Sequence, residues 1–93
     1  MAVVRRCFLI MGTVQGVGFR YFAAGAGLKL GLTGWVRNLP DGAVEVQAQG
    51  PVEAVDRMEQ LLRKGPRTAD VRRVTVIESP PREGESSFVV RHH

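Results

Sequence analysis

The chain predicts an α+β fold, with two helices on one face of a mainly antiparallel sheet. The predicted order is strand, helix, strand, strand, helix, strand, and then a short extra strand. Three observations carry this. The 93 residues supply one core and no second. Apolar residues recur at helical spacing in two segments and alternate or run continuously in the others. Clusters of Gly and Pro separate the segments.

The first strand is expected over residues 3–11, an apolar run of Val, Phe, Leu and Ile that suits a central position. Residues 12–18 hold three glycines and are expected to form a loop. Phe19, Phe22, Ala23, Ala26 and Leu30 then fall on one helical face. Gly25 and Gly27 weaken that helix, and Gly31 is a credible stop. Residues 33–38 read as a strand, Leu39-Pro40-Asp41-Gly42 as a turn, and residues 43–49 as the returning strand of a hairpin. Pro51 is expected at the first position of a second helix, with Val52, Val55, Met58 and Leu62 as its buried stripe. Arg63, Lys64 and Gly65 end it, the cations lying at the negative pole of the helix. Residues 71–78 form the fourth strand, residues 79–86 a Pro- and Gly-rich connection, and residues 87–91 the short last strand. This is the split β-α-β, ferredoxin-like arrangement, read as a single domain over residues 1–93.

The totals exclude several classes. No run of 18 apolar residues marks a membrane-spanning helix, and the first residues lack the apolar core of a signal peptide, so a cytoplasmic protein is expected. Cys7 is the only cysteine and sits in an apolar run, which suits a buried structural thiol. Net charge is +4, spread along the chain without a block of five like charges. Such a field attracts anions in general without specifying nucleic acid. His92 and His93 lie at the chain end, as a tag remnant or a native end, and leave no internal histidine as a base. No Ser-His-Asp set or metal cluster is visible. An enzyme built on this chain must work by binding and electrostatics.

The candidate tool is the loop Gln15-Gly16-Val17-Gly18-Phe19-Arg20, running from a strand into a helix. Successive amides of a Gly-rich turn can converge on one anion, and the helix N-terminus adds partial positive charge. Arg20 can bind two phosphate oxygens through its fork. The second tool is Asn38, which ends the second strand. In a split β-α-β unit the first two strands run the same way with the third between them, so Asn38 shares a sheet edge with the loop, about 10 Å away. On spacing alone the loop also fits a plain connection, and Asn38 also fits a turn residue before Pro40-Asp41-Gly42.

The run Gly12-Thr13-Val14-Gln15-Gly16-Val17-Gly18-Phe19-Arg20, then Leu30-Gly31-Leu32-Thr33-Gly34-Trp35-Val36-Arg37-Asn38, then Asp41-Gly42-Ala43-Val44-Glu45, resembles the acylphosphatase family over essentially the whole chain. The resemblance implies a ferredoxin-like fold and hydrolysis of carboxyl-phosphate bonds. It implies that the amides of Gln15, Gly16, Val17, Gly18, Phe19 and Arg20 cradle the phosphate, that the Arg20 side chain binds it, and that Asn38 positions the attacking water. No cofactor or metal is implied. The expected partner is a small-molecule acyl phosphate, with no nucleic acid and no membrane, and the expected state is a monomer. Family members often carry Thr or Ser in the first helix, where this chain reads Ala23-Ala24-Gly25-Ala26-Gly27, so a less rigid helix is expected under Arg20.

The chemistry agrees with the implied role. Phosphoryl transfer needs mainly positioning and charge stabilisation. A carboxylate leaves without protonation, because its conjugate acid has a pKa of roughly 4. A site without histidine can therefore suffice. Trp35 is expected to pack in or beside the sheet, Tyr21 to line the site mouth or pack on the surface, and Arg37 to point to the opposite face from Asn38. Arg63-Lys64 and Arg72-Arg73 read as a solvated face. The alternative function is a non-catalytic ferredoxin-like binding module for nucleic acid or a protein partner. The third strand, Ala43-Val44-Glu45-Val46-Gln47, lacks the aromatic cluster of RNA-binding sheets. The chain end at residue 93 favours a free-standing enzyme over a regulatory domain of a larger protein.

Overall fold

The computed structural model describes residues 2–92. Its elements are β1 (Val3–Thr13), α1 (Phe19–Lys29), β2 (Thr33–Asn38), β3 (Val44–Pro51), α2 (Val52–Lys64), β4 (Asp70–Ser79) and β5 (Phe88–Arg91). The strands form one sheet in the order β4-β1-β3-β2-β5. All neighbours are antiparallel except β2 and β5, which pair in parallel. Because β1 and β2 are both antiparallel to β3, they run the same way and end at the same edge of the sheet.

Strand alternation sends Phe8 and Ile10 of β1, Val36 of β2, and Val44, Val46 and Ala48 of β3 to one face, where all are buried. Val55, Met58 and Leu62 of α2 and Phe19 and Ala23 of α1 close over them into one apolar cluster. The predicted stripe of α2 is the one used, except that Val52 is only half-buried. That of α1 is rotated by about one position: Ala24 and Gly27 are buried with Phe19 and Ala23, whereas Phe22, Ala26 and Leu30 are half-buried. The cause is β5. A Cβ on Gly27 would lie 2.4 Å from the Phe88 ring, so the glycine makes room for that buried side chain. Gly31 ends the helix at φ +69°, with Gly31 N–H donating to Leu28 O and Leu32 N–H to Gly27 O, a Schellman closure.

The element ends that differ most from expectation are those at Thr13 and at Pro51. β1 runs to Thr13 because a bulge between Met11 and Gly12 lets Gly12 and Thr13 keep pairing with β4. Gly12 takes φ +134° there, and any Cβ would strike the Asp70 carbonyl. Pro51 ends β3 opposite Val3 in an extended conformation, φ −55° and ψ 142°, and α2 begins after it. The Val52 amide instead bonds back to the Ala2 carbonyl.

The other face of the sheet is polar yet partly closed. Arg5 is 1% exposed there. Its guanidinium donates to both carboxylate oxygens of Glu85, at 2.7 and 3.1 Å, and to the side-chain oxygens of Gln47 and Gln49. Gln49 exchanges two further hydrogen bonds with the backbone of Arg82. These bonds strap the β4–β5 connection across the sheet. Cys7 is buried on the same face, as expected, and its thiol is pushed up to about 11 by burial and by its hydrogen bond to Glu45. Trp35 is buried beside Arg37 and Arg91, whose guanidinium carbons stand 5.2 and 4.8 Å from its ring centre. Arg37 lies on this face, opposite Asn38, and pairs with Glu45 at 2.7 Å. Arg63, Lys64, Arg72 and Arg73 are exposed.

Candidate active site

The end of β1, the start of α1 and the end of β2 meet at one sheet edge. Between them Gly16 and Gly18 take φ +75° and +79°, while Val17 keeps a negative φ, as does every described non-glycine residue. Alternation of this kind lets successive amides face one concavity. A Cβ would meet nothing within 4 Å at either glycine. The residue choice is therefore set by backbone conformation, and the space beside the loop is open. Gly18 is the N-cap of α1, without a side-chain cap and without an acidic residue in the first turn. The positive end of the helix keeps its capacity for an anion.

Arg20 follows in the first turn. Its Nη1 donates to the Arg91 carbonyl at 3.3 Å and lies 3.2 Å from Nδ1 of His92. Asn38 closes β2 on the helix-covered face, opposite Val44 in the register. Its Oδ1 is buried and has no hydrogen-bond partner in the protein. The Asx-type bond of the following turn is made instead by Asp41, whose Oδ1 accepts from the Ala43 amide at 3.0 Å. Gly16, Gly18, Phe19, Arg20 and Asn38, with Val14 and Tyr21, line one cavity of about 220 Å³.

Of the expected phosphate-binding residues, Gln15 and Val17 do not line this cavity. The Gln15 side chain turns to the β2–β3 hairpin, where Nε2 donates to the carbonyls of Leu39 and Ala43 at 2.7 and 2.9 Å. It staples the loop to the turn that follows Asn38. The Val17 carbonyl accepts from the Thr68 hydroxyl at 2.7 Å. Neither Thr68 nor the Arg91 carbonyl has a local sequence signal. Both are brought in by elements far along the chain. By sequence His92 is only a chain end, yet β5 carries its ring to Arg20; His93 lies outside the described residues. Tyr21 does line the mouth and remains 68% exposed.

A family model described as acylphosphatase matches residues 6–90. An acylphosphatase of Synechococcus sp. (strain CC9902) is 48% identical over 90 residues, covering 97% of this chain and 76% of that protein. One from Moorella thermoacetica is 45% identical over 91 residues, covering 98% and 97%. The crystal structure of acylphosphatase from Bacillus subtilis superposes with a TM-score of 0.91 at 36% identity, over 96% of this chain and 99% of that one. A match spanning all three motif runs, at this identity and with this close a superposition, leaves one conclusion: the chain belongs to the acylphosphatase family.

Proposed function

We propose that this chain hydrolyses the carboxyl-phosphate bond of small-molecule acyl phosphates. Arg20 and the amides of the 15–20 loop hold the phosphoryl group, and Asn38 holds the water. The observation that carries this is the buried, unpartnered Oδ1 of Asn38 in the same cavity as Arg20, Gly16 and Gly18. An unpaired buried acceptor costs about 1–3 kcal/mol, and a water donating to it relieves that cost. The water oxygen forms a bond to phosphorus as the bond from phosphorus to the acyl oxygen breaks. The electron pair leaves with the carboxylate, which needs no proton. An amide is too weak a base to take the water's proton, so a phosphoryl oxygen receives it. Negative charge spread over the phosphoryl oxygens meets the Arg20 guanidinium, the loop amides and the start of α1. Among the described residues, no helix is long and apolar enough to cross a membrane. We read the working form as a monomer without a cofactor.

The test is metal-free hydrolysis of a model aromatic acyl phosphate by the parent and by two variants. Arg20→Ala and Asn38→Ala should each lower kcat/KM by about 100-fold or more. Activity that survives both changes refutes the site. A parent without activity refutes hydrolysis and favours a binding module.

A further inference from the structure

Thr68 lies in the turn between α2 and β4, where Ala69 N–H donates to Pro66 O. It is 51 residues from Val17 along the chain, and its hydroxyl donates to the Val17 carbonyl at 2.7 Å. Gly18, with φ 79° and ψ 15°, has the third-position conformation of a type II turn. The Val17–Gly18 peptide has an alternative: a half-rotation, of the kind that relates type II to type I turns, would move Gly18 to negative φ. Glycine allows both forms, so the residue type alone does not choose between them.

The two forms differ in what they present to the cavity. In a trans peptide the carbonyl and the following N–H point in opposite directions, and there is no cis bond among the described residues. Gly18 lines the cavity and Thr68 does not. With its carbonyl bonded to Thr68, which does not line the cavity, the Val17–Gly18 peptide aims its N–H away from Thr68. Rotated by half a turn, it would offer a carbonyl oxygen, which repels an anion. We infer that Thr68 is a positioning residue: its hydroxyl selects the orientation of the Val17–Gly18 peptide in which the Gly18 amide serves the bound phosphoryl group. This rests on the phosphate-binding reading of the loop.

The test compares Thr68→Val, which keeps the shape and removes the donor, with Thr68→Ser, which keeps the donor. Four quantities are measured: KM and kcat for a model aromatic acyl phosphate, the inhibition constant of inorganic phosphate, and the Gly18 amide resonance during phosphate titration. Thr68→Val should raise KM and the phosphate inhibition constant about fivefold, the factor one neutral hydrogen bond is worth. It should also weaken the Gly18 response to phosphate, and Thr68→Ser should match the parent. An active parent whose Thr68→Val variant keeps the same KM, inhibition constant and Gly18 response overturns the inference. If the parent binds phosphate without hydrolysing acyl phosphates, the hydrolytic reading fails. A Gly18 response weakened by Thr68→Val and restored by Thr68→Ser then still supports the role of Thr68. A parent that does not bind phosphate overturns both.

Discussion

Cys7 and Phe8 are neighbours on β1, yet they point into differently built interiors. Phe8 enters the helix-covered face, where apolar side chains from four strands and both helices exclude water. Cys7 enters the opposite face, where closure depends on Arg5, Glu85 and two glutamines tying down a connection without regular structure. Apolar burial is non-directional and does not depend on the state of any one group. A bidentate ion pair is directional and depends on the charge of both partners. Both devices hide a strand face, but the second ties its stability to pH.

The largest expected effect lies on the apolar face. Phe8→Ala should cost about 3–5 kcal/mol, measured by urea unfolding, and the loss should be similar at neutral and acid pH. A deficit that vanishes in acid would mean that Phe8 acts through the charged network. On the other face, Glu85→Ala leaves the Arg5 guanidinium buried without its charge partner and should cost about 2–3 kcal/mol at neutral pH. Arg5 holds the Glu85 carboxyl below its ordinary value of 4.5, chiefly through its hydrogen bond. The contribution is therefore complete above 4.5 and is lost as pH falls through the lowered value. Parent and Glu85→Ala should converge in stability in acid. If their separation stays constant, the ion pair is not what secures the strap.

The smallest effects separate two glycines of α1. Gly27→Ala pushes a methyl group into the Phe88 ring and should cost about 1–2 kcal/mol. At Gly25 a Cβ meets nothing within 4 Å, so Gly25→Ala should stabilise the protein by about 0.5–1 kcal/mol. Thermal unfolding of both variants checks the signs. Stabilisation by both would show that helix propensity, rather than the seat of β5, governs this helix. Both glycines look like weaknesses in the sequence. Only Gly27 has a neighbour that requires it.

Much of the fold was legible because it is set locally. Helical spacing in residues 52–62, the Leu39-Pro40-Asp41-Gly42 turn and the stop at Gly31 each act within a few residues. The misplacements have local rules overruled by distant partners. Pro51 suits the start of a helix, but it is held opposite Val3 at the end of a strand. Gly12 suits a loop, but a bulge keeps it paired with β4. The stripe of α1 is rotated because Phe88 packs against Gly27.

The candidate site divides in the same way. The sequence by itself determined the tools: a Gly-rich turn entering a helix, an arginine in its first turn, and an asparagine at the same sheet edge. The turn and the start of the helix follow from nearby residues, and the motif runs point to the family. Only the tertiary structure decided what those tools touch. It left Asn38 Oδ1 unpartnered and turned Gln15 toward the hairpin. It joined Val17 to Thr68 across 51 positions, Arg20 to Arg91 across 71, and Arg5 to Glu85 across 80. Each is a directional bond between single polar groups far apart in the chain. No periodicity or turn chemistry announces such a pair, because nothing near either partner requires it.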